Sequence, residues 1–387
     1  MNFFSGIDFF ILLILVLIPA AVIGLLGFRL RWYRRVLSVL FIWLVYSSSV
    51  EQMLYLIGYV VFAVCLVKLY LYLRIKGGKK LWLYRLFVFL ALLPLATYKI
   101  GTLAGISIFG FLGISYICFR VIQTIIETYD GVITEINTIQ FVEFLVFFAS
   151  LSSGPIDRSR RFAEDDDRKL TRDEYGELLW HGFYKLVTGV FYKVACSAFF
   201  YDILQKYFVE KYEPIYIIGY AYIYGLYLFF DFAGYSAMAV GTGYILGIKL
   251  PDNFNKPFLS VDIKDFWGRW HITLSSWFRD FIFTRFIMAS VRKKRFKNRL
   301  TGASIGLIIN MGIMGVWHGL EAHYIAYGLY HGIVMAIVEI FQNKSKFYKK
   351  HKKKKWYIAC SWFININIVM FGFLIFSGYL NEVWHNM

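Results

Sequence analysis

Long apolar runs dominate the chain, and polar residues gather into short stretches between them. Runs at 7–27, 36–49, 52–73, 81–98, 103–128, 136–152, 178–206, 213–231, 233–248, 300–318, 322–342 and 356–380 approach or exceed the roughly 20 apolar residues that cross a hydrocarbon core of about 30 Å. Several are short or interrupted by glycine, so the pattern predicts about eleven transmembrane helices. Helices are the only option for such runs, because lipid offers no partner to a free backbone amide or carbonyl. The fold class is therefore all-α: a polytopic integral membrane protein, a single membrane-embedded domain over 1–387.

Two stretches depart from this pattern. Residues 154–175 carry charges of both signs, from Asp157, Arg158, Arg160 and Arg161 to Glu164–Asp167. Strict alternation of crossings does not place them, which predicts re-entrant or half-membrane helices there. Residues 251–290 open as a polar loop with Pro251 and Pro257 and continue as a Trp-rich amphipathic helix. Trp267, His271, Leu274, Phe278 and Phe281 fall at helical spacing on one face. Asp265 and Arg269 form an i,i+4 pair on another. This reads as a helix lying at an interface or dipping into the protein.

Composition sharpens the picture. Apolar residues make up 59 % of the chain and charged residues 17 %, against about 25 % charged in a soluble domain. That excludes both a water-soluble globule and a disordered chain. The net charge is nevertheless +17, a balance that by itself suits nucleic acid, an anionic surface or an acidic partner. Position decides. Lys and Arg cluster at 29–35, 68–80, 292–299 and 344–355, with no acid in any of these stretches. Each abuts an apolar run, as the positive-inside rule expects of cytoplasmic loops. No aromatic-studded soluble module accompanies them, which argues against nucleic acid. The clusters put both chain ends, Met1 and Met387, outside the cell. The run at 7–27 has no basic segment before it and reads as a first transmembrane helix rather than a cleaved leader. Cys65, Cys118, Cys196 and Cys360 are far apart, with no metal or redox spacing, and read as small core residues.

Histidine is the residue type that points to chemistry. Of seven, His351 lies in a Lys run and His385 in the tail, both expected in solvent; His181 suits an interface. His271, His318, His323 and His331 lie within one stretch of the chain. His318 ends the apolar run GLIINMGIMGVWHG, where Gly312, Gly315 and Gly319 share a helical face, so that a neighbouring helix or a ligand can come close. An ionisable group there is a functional candidate. His331 lies on the next helix with Tyr324, Tyr327 and Gly328 on its face. The bland alternative is a histidine that hydrogen-bonds one helix to another. A zinc site is disfavoured, because His318 and His323 do not share a face and no HExxH or CxxC occurs. Histidine suits proton transfer near neutral pH and acts as a general base against a hydroxyl. No GxSxG, Walker A or GxGxxG is present, which leaves direct transfer between two bound substrates by a base, positioning and desolvation.

At these residues the chain resembles a known family. FDFAGYSAMAVGTGYILGIKLPDNFNKPF (230–258), DFWGRWHITLSSWFRDFIF (265–283), VWHG (316–319) and SSGPIDRSRRF (152–162) are together similar to the membrane-bound O-acyltransferases of the bacterial branch that modifies alginate and teichoate. The ordered match covers about 150–345, and the resemblance puts a catalytic core at 100–345. It implies helices around a central funnel or tunnel. It also implies that His318 and His271 are the functional pair. YIAYGLYHG (324–332), and FTRFIMASVRKKRF (283–296) where alginate O-acetyltransferases carry an IPLGG-like stretch, look most like the teichoate-D-alanylating members. The implied donor is a D-alanyl thioester on the phosphopantetheine arm of a small acidic carrier protein docking from the cytoplasm, with no cofactor bound by the chain itself. The implied acceptor is an extracellular hydroxyl, on teichoic acid or on another membrane protein of the same D-alanylation system, in the cell membrane of a Gram-positive bacterium. On this resemblance His318 is expected as general base and His271 as the group that orients the donor or, protonated, stabilises the oxyanion. His331, Tyr327, Trp317 and Trp270 are expected to line the tunnel. Arg292, Lys293, Lys294 and Arg295 are expected to meet the carrier, and no metal is implied. The alternatives are O-acetylation of another surface polysaccharide or, in a different class, a transporter or flippase.

Overall fold

A computed structural model describes residues 3–4, 6–106 and 109–386. Met1 and Met387, whose placement outside the cell the charge clusters predict, lie outside the described residues. Among the described residues every secondary-structure element is helical, with no strand. Eight of these described helices are long and apolar enough to cross a membrane: α1 (Ile7–Leu25), α3 (Val50–Gly77), α4 (Leu81–Leu103), the stretch Arg172–Tyr207 formed by α8 (Arg172–Val190), a π-helical turn and α9 (Ala198–Tyr207), α10 (Pro214–Ile245), α14 (Arg299–His318), α15 (Ala322–Lys344) and α17 (Lys355–Ser377).

Eight is fewer than the eleven expected, and the differences have local causes. The runs 213–231 and 233–248 are one continuous helix, α10. Asp231, the last residue of the first run, is satisfied where it stands: Lys193 pairs with it and the Ser197 hydroxyl donates to it at 3.1 Å. The run 36–49 is α2 (Arg31–Tyr46), 16 residues long. The run 103–128 becomes α5 (Ile114–Asp130), which is buried on nearly every side and carries Arg120 and Glu127. The run 136–152 breaks after the nine-residue α6 (Thr138–Val146). The Arg120 guanidinium, 1 % exposed, takes over the carbonyls freed at that break, donating to Phe144 and Leu145 at 2.7 and 2.9 Å and to the Ser150 hydroxyl at 2.8 Å.

The chain forms two compact units, Met1–Phe191 with Gly234–Asp252 and Tyr192–Ala233 with Asn253–Met387. The first contains a buried charge network that changes the reading of the 29–35 cluster. Arg34 is only 2 % exposed. Its Nε donates to Glu143 at 2.5 Å, its Nη2 to Asp166, and its Nη1 to the Leu246 carbonyl at 3.2 Å. Arg35 pairs with both acids at 2.7 and 3.1 Å, and Arg31 with Asp166 at 3.1 Å. Three of the four arginines are thus held by partners more than a hundred residues away, not free in a loop. Residues 154–175, where re-entrant or half-membrane helices are expected, include a charged nine-residue helix, α7 (Ser159–Asp167), that supplies Asp166 to this network. α8 then opens on a capping box in which Thr171 and Glu174 satisfy each other's backbone amides.

In the second unit α14 and α15 form a hairpin whose crossing only glycine permits. A Cβ on Gly315 would lie 2.5 Å from the Tyr324 carbonyl, and one on Gly328 would lie 2.4 Å from the Met311 carbonyl. The glycines therefore admit the neighbouring helix rather than a ligand. Of the cysteines, Cys118 is buried, Cys196 is half-buried and Cys65 and Cys360 are exposed, so the core reading holds for Cys118.

Candidate active site

His271 sits in the second unit at a break that helical spacing does not reveal. The expected single amphipathic helix is three pieces: α11 (Ile263–Arg269), α12 (Ile272–Phe278) and a π-helical turn over Arg279–Phe283 that leads into α13 (Thr284–Arg292). Asp262 caps α11 by accepting from the Lys264 and Asp265 amides. The expected Asp265–Arg269 pair is present at 2.7 Å. The chain then turns at His271, whose φ of 43° and ψ of 54° lie in the left-handed region. Such a conformation costs a non-glycine residue about 1–3 kcal/mol and persists only where its surroundings enforce it. Here the loop after Asp252 enforces it. The Asn255 amide donates to the Arg269 carbonyl at 3.0 Å, the Ile272 amide to the Asn253 carbonyl at 2.9 Å, and the Thr273 hydroxyl to the Asn253 side chain at 2.6 Å. The turn is gripped on both sides of the histidine.

The imidazole itself is 4 % exposed, packs edge-on to Phe232 at 4.7 Å, and has a buried Nε2 with no hydrogen-bond partner among the described residues. Burial, and secondarily the nearby His318 ring, push its pKa well below the ordinary 6.5. The ring is therefore neutral at physiological pH, so the cationic form considered from sequence is disfavoured.

His318 is the last residue of α14 and is half-buried. Its ring meets Trp317 at 4.6 Å, Phe376 at 5.1 Å, Tyr327 at 6.1 Å and Tyr324 at 6.3 Å. Tyr327, 3 % exposed, stands between this ring and His331, at 4.7 Å from the latter. His331 is fully buried, neither ring nitrogen has a hydrogen-bond partner among the described residues, and Trp267 and Tyr330 face it at 5.3 and 5.2 Å. It is not the helix-to-helix hydrogen bond of the bland alternative. Close packing explains its setting, because a Cβ on Gly372 of α17 would lie 2.4 Å from its Nε2. The structure thus brings His318, Tyr327, His331 and Trp317 into one aromatic neighbourhood, with His271 close enough to feel the His318 charge. Trp270 packs instead with Phe254, Phe266 and Phe373 at 4.8–5.6 Å, beneath the gripped turn. Arg292, Lys293, Lys294 and Arg295 are all exposed at the end of α13. Among the described residues no three His, Cys, Asp or Glu side chains are grouped as metal ligands.

Two wall residues were not assigned to the site from sequence. A cavity of about 240 Å³ runs between α11–α12 and the α14–α15 hairpin, lined among others by Trp267, Asn310 and Met314. Trp267 is visible in the sequence only as one more aromatic of the amphipathic stretch. Asn310 has a signal: it is the single amide in the apolar run GLIINMGIMG.

This arrangement sets the half-exposed His318 ring within an aromatic shell, with the buried His271 ring in electrostatic reach. The family model of the membrane-bound O-acyltransferases matches residues 4–381. The chain belongs to the membrane-bound O-acyltransferase family. Within it, the chain is similar to the teichoic acid D-alanyltransferase of Bacillus subtilis, 39 % identical over 386 residues that cover 97 % of this chain and 98 % of the relative. The corresponding protein of Streptococcus thermophilus is 40 % identical over 97 % of this chain and 95 % of its own length. The probable alginate O-acetylase of Pseudomonas syringae pv. tomato is 30 % identical over 69 % of this chain and 49 % of the relative. This membrane-bound O-acyltransferase is a multi-pass membrane enzyme that transfers acyl groups.

Proposed function

We propose that the enzyme transfers D-alanine from a thioester on the phosphopantetheine arm of an acidic carrier protein to an extracellular hydroxyl in teichoic acid D-alanylation. The observation that carries this reading is the end-to-end similarity to the two teichoic acid D-alanyltransferases, against a match to alginate O-acetylase that covers half of that relative.

In this reading the acceptor hydroxyl oxygen attacks the thioester carbonyl. His318 takes the hydroxyl proton as the C–O bond forms. Collapse of the tetrahedral intermediate breaks the C–S bond, and the proton passes from His318 to the leaving thiolate. His271, neutral and rigidly held, gives an N–H hydrogen bond to the carbonyl oxygen as its charge develops. Tyr327, His331 and Trp317 keep water from the thioester, while Trp270 supports the turn that carries His271. Arg292, Lys293, Lys294 and Arg295 attract the acidic carrier on the cytoplasmic side, and the acyl group crosses to the acceptor within the fold.

The test is reconstitution of the full-length protein with a D-alanyl-loaded carrier and lipoteichoic acid, followed by mass spectrometry of the products. Wild-type protein is expected to yield D-alanyl ester, and folded His318→Gln none. Equal yields from the two would sink the assignment. Movement of a lipid or solute without any carrier-borne acyl group would favour the transporter class instead.

A further inference from the structure

The net charge of +17 is not equally available along the chain. Three arginines of the 29–35 cluster are held by buried acids. In the 68–80 cluster Lys68 donates to the Thr138 hydroxyl and Arg74 to the Tyr129 carbonyl at 3.4 Å, while Lys76 and Lys79 lie over the Tyr72 and Tyr129 rings at 4.6 and 4.5 Å. The turn between α15 and α17 is different. Residues 344–355 hold eight lysines and no acid, and all eight are exposed. Among the described residues none of them pairs with an acid; Lys352 lies over the Tyr348 ring at 5.5 Å. Two acids stand at this end of α15, and both are engaged. Asp262 accepts from Gln342 at 2.9 Å and caps α11, and Glu339 accepts from Lys264 at 2.7 Å and from Asn343 at 2.9 Å.

The depth of this turn points to its partner. α15 and α17 are each 23 residues long, about 35 Å at 1.5 Å per residue, little more than a hydrocarbon core of about 30 Å. The residues between them, which include the short helix α16 (Lys346–His351), therefore lie at the level of the lipid headgroups. Phe347 and Trp356 flank the lysines, 50 % and 49 % exposed. Their rings are 6.1 Å apart, with His351 at 4.6 and 5.4 Å from them. Aromatic rings settle at the membrane interface, and a Lys run beside a membrane helix attracts anionic lipid. The two half-exposed rings beside the charge favour lipid over an acidic protein. We propose that this turn binds anionic phospholipid of the leaflet that the positive-inside rule makes cytoplasmic, with headgroup phosphates among the lysines and the glycerol region against Phe347 and Trp356. The same end of the α15–α17 pair is bonded to the segment leading to His271, through Lys264–Glu339, Gln342–Asp262 and the Ser361 hydroxyl, which donates to the Val261 carbonyl at 2.7 Å. Lipid held here therefore steadies the start of α11.

The experiment places the full-length protein in mixed micelles of neutral detergent with either phosphatidylglycerol or phosphatidylcholine at the same mole fraction and reads the melting temperature. Phosphatidylglycerol is expected to raise it by about 5 °C over phosphatidylcholine, the shift that a ligand at about a hundredfold its Kd gives a large domain. The rise is expected to fade at about 1 M salt, where the screening length shortens to about 3 Å. Replacing Lys349, Lys350, Lys352 and Lys353 by Gln is expected to leave the melting temperature in phosphatidylcholine unchanged and to remove most of the rise. Equal melting of the wild type in the two lipids overturns the proposal and needs no variant to fold. A full rise in the four-lysine variant overturns it as well, and a raised KM for loaded carrier in that variant would then give the turn to the acidic protein instead.

Discussion

Replacing Arg34 by Met tests whether the network around it is structural. The guanidinium is 3 % exposed and meets Glu143 and Asp166, whose side chains are 3 % and 0 % exposed. Removing one partner of a buried ion pair costs about 3–5 kcal/mol, because the remaining charge is left desolvated. Arg35 and Arg31 still face the two acids, which places the expected loss near the lower end, about 3 kcal/mol. At roughly 2 °C per kcal/mol for a large domain, the melting temperature in detergent falls by about 6 °C. The control is Arg168→Met. Arg168 pairs with Glu174 at 2.5 Å, but both side chains are more than 40 % exposed, and such pairs contribute about 0–1 kcal/mol. Thermal unfolding followed by tryptophan fluorescence compares the two. Shifts of equal size would refute the reasoning, since burial and not pairing is what separates these arginines.

Further outcomes follow from other sites. Gly328→Val places a side chain against the Met311 carbonyl and Gly315 and is expected to abolish monodisperse protein in size-exclusion chromatography, whereas Gly268→Ala, with nothing within 4 Å of the added Cβ, leaves it intact. His271 stays neutral in the fold while its unfolded counterpart takes up a proton below about pH 6.5. The unfolded state then binds more protons, so stability falls as pH drops below 6.5, by up to about 1.4 kcal/mol per unit. His271→Asn is expected to remove that component from a melting series between pH 7 and 5.5, and an unchanged slope would contradict it. His331→Leu breaks no hydrogen bond and is expected to change stability by less than about 1 kcal/mol; a large drop in melting temperature would reveal a partner at that ring.

Much of the helical layout was legible because apolar run length is a local property. The runs 300–318 and 322–342 became Arg299–His318 and Ala322–Lys344 with almost no adjustment. The errors arose where a distant partner decides. A charge at position 231 looks like a break until Lys193 is beside it, and Arg34 looks like a loop residue until Glu143 and Asp166 surround it. His271 and His318 were legible as candidates through their motif blocks, but their proximity is tertiary. The break at His271 was hidden because its cause lies in main-chain bonds from Asn253 and Asn255, which no periodicity records. Asn310 was visible as an amide in an apolar run, but its place on a cavity wall is tertiary.

The gripped turn at His271 has a consequence for timing. Its unfavourable backbone geometry is met once, when the chain folds, and in the proposed reaction the imidazole then waits at its post through every turnover. A residue so fixed cannot swing toward one guest and away from another. In the proposed reaction, discrimination among acyl groups therefore falls to the parts of the enzyme that are not so fixed.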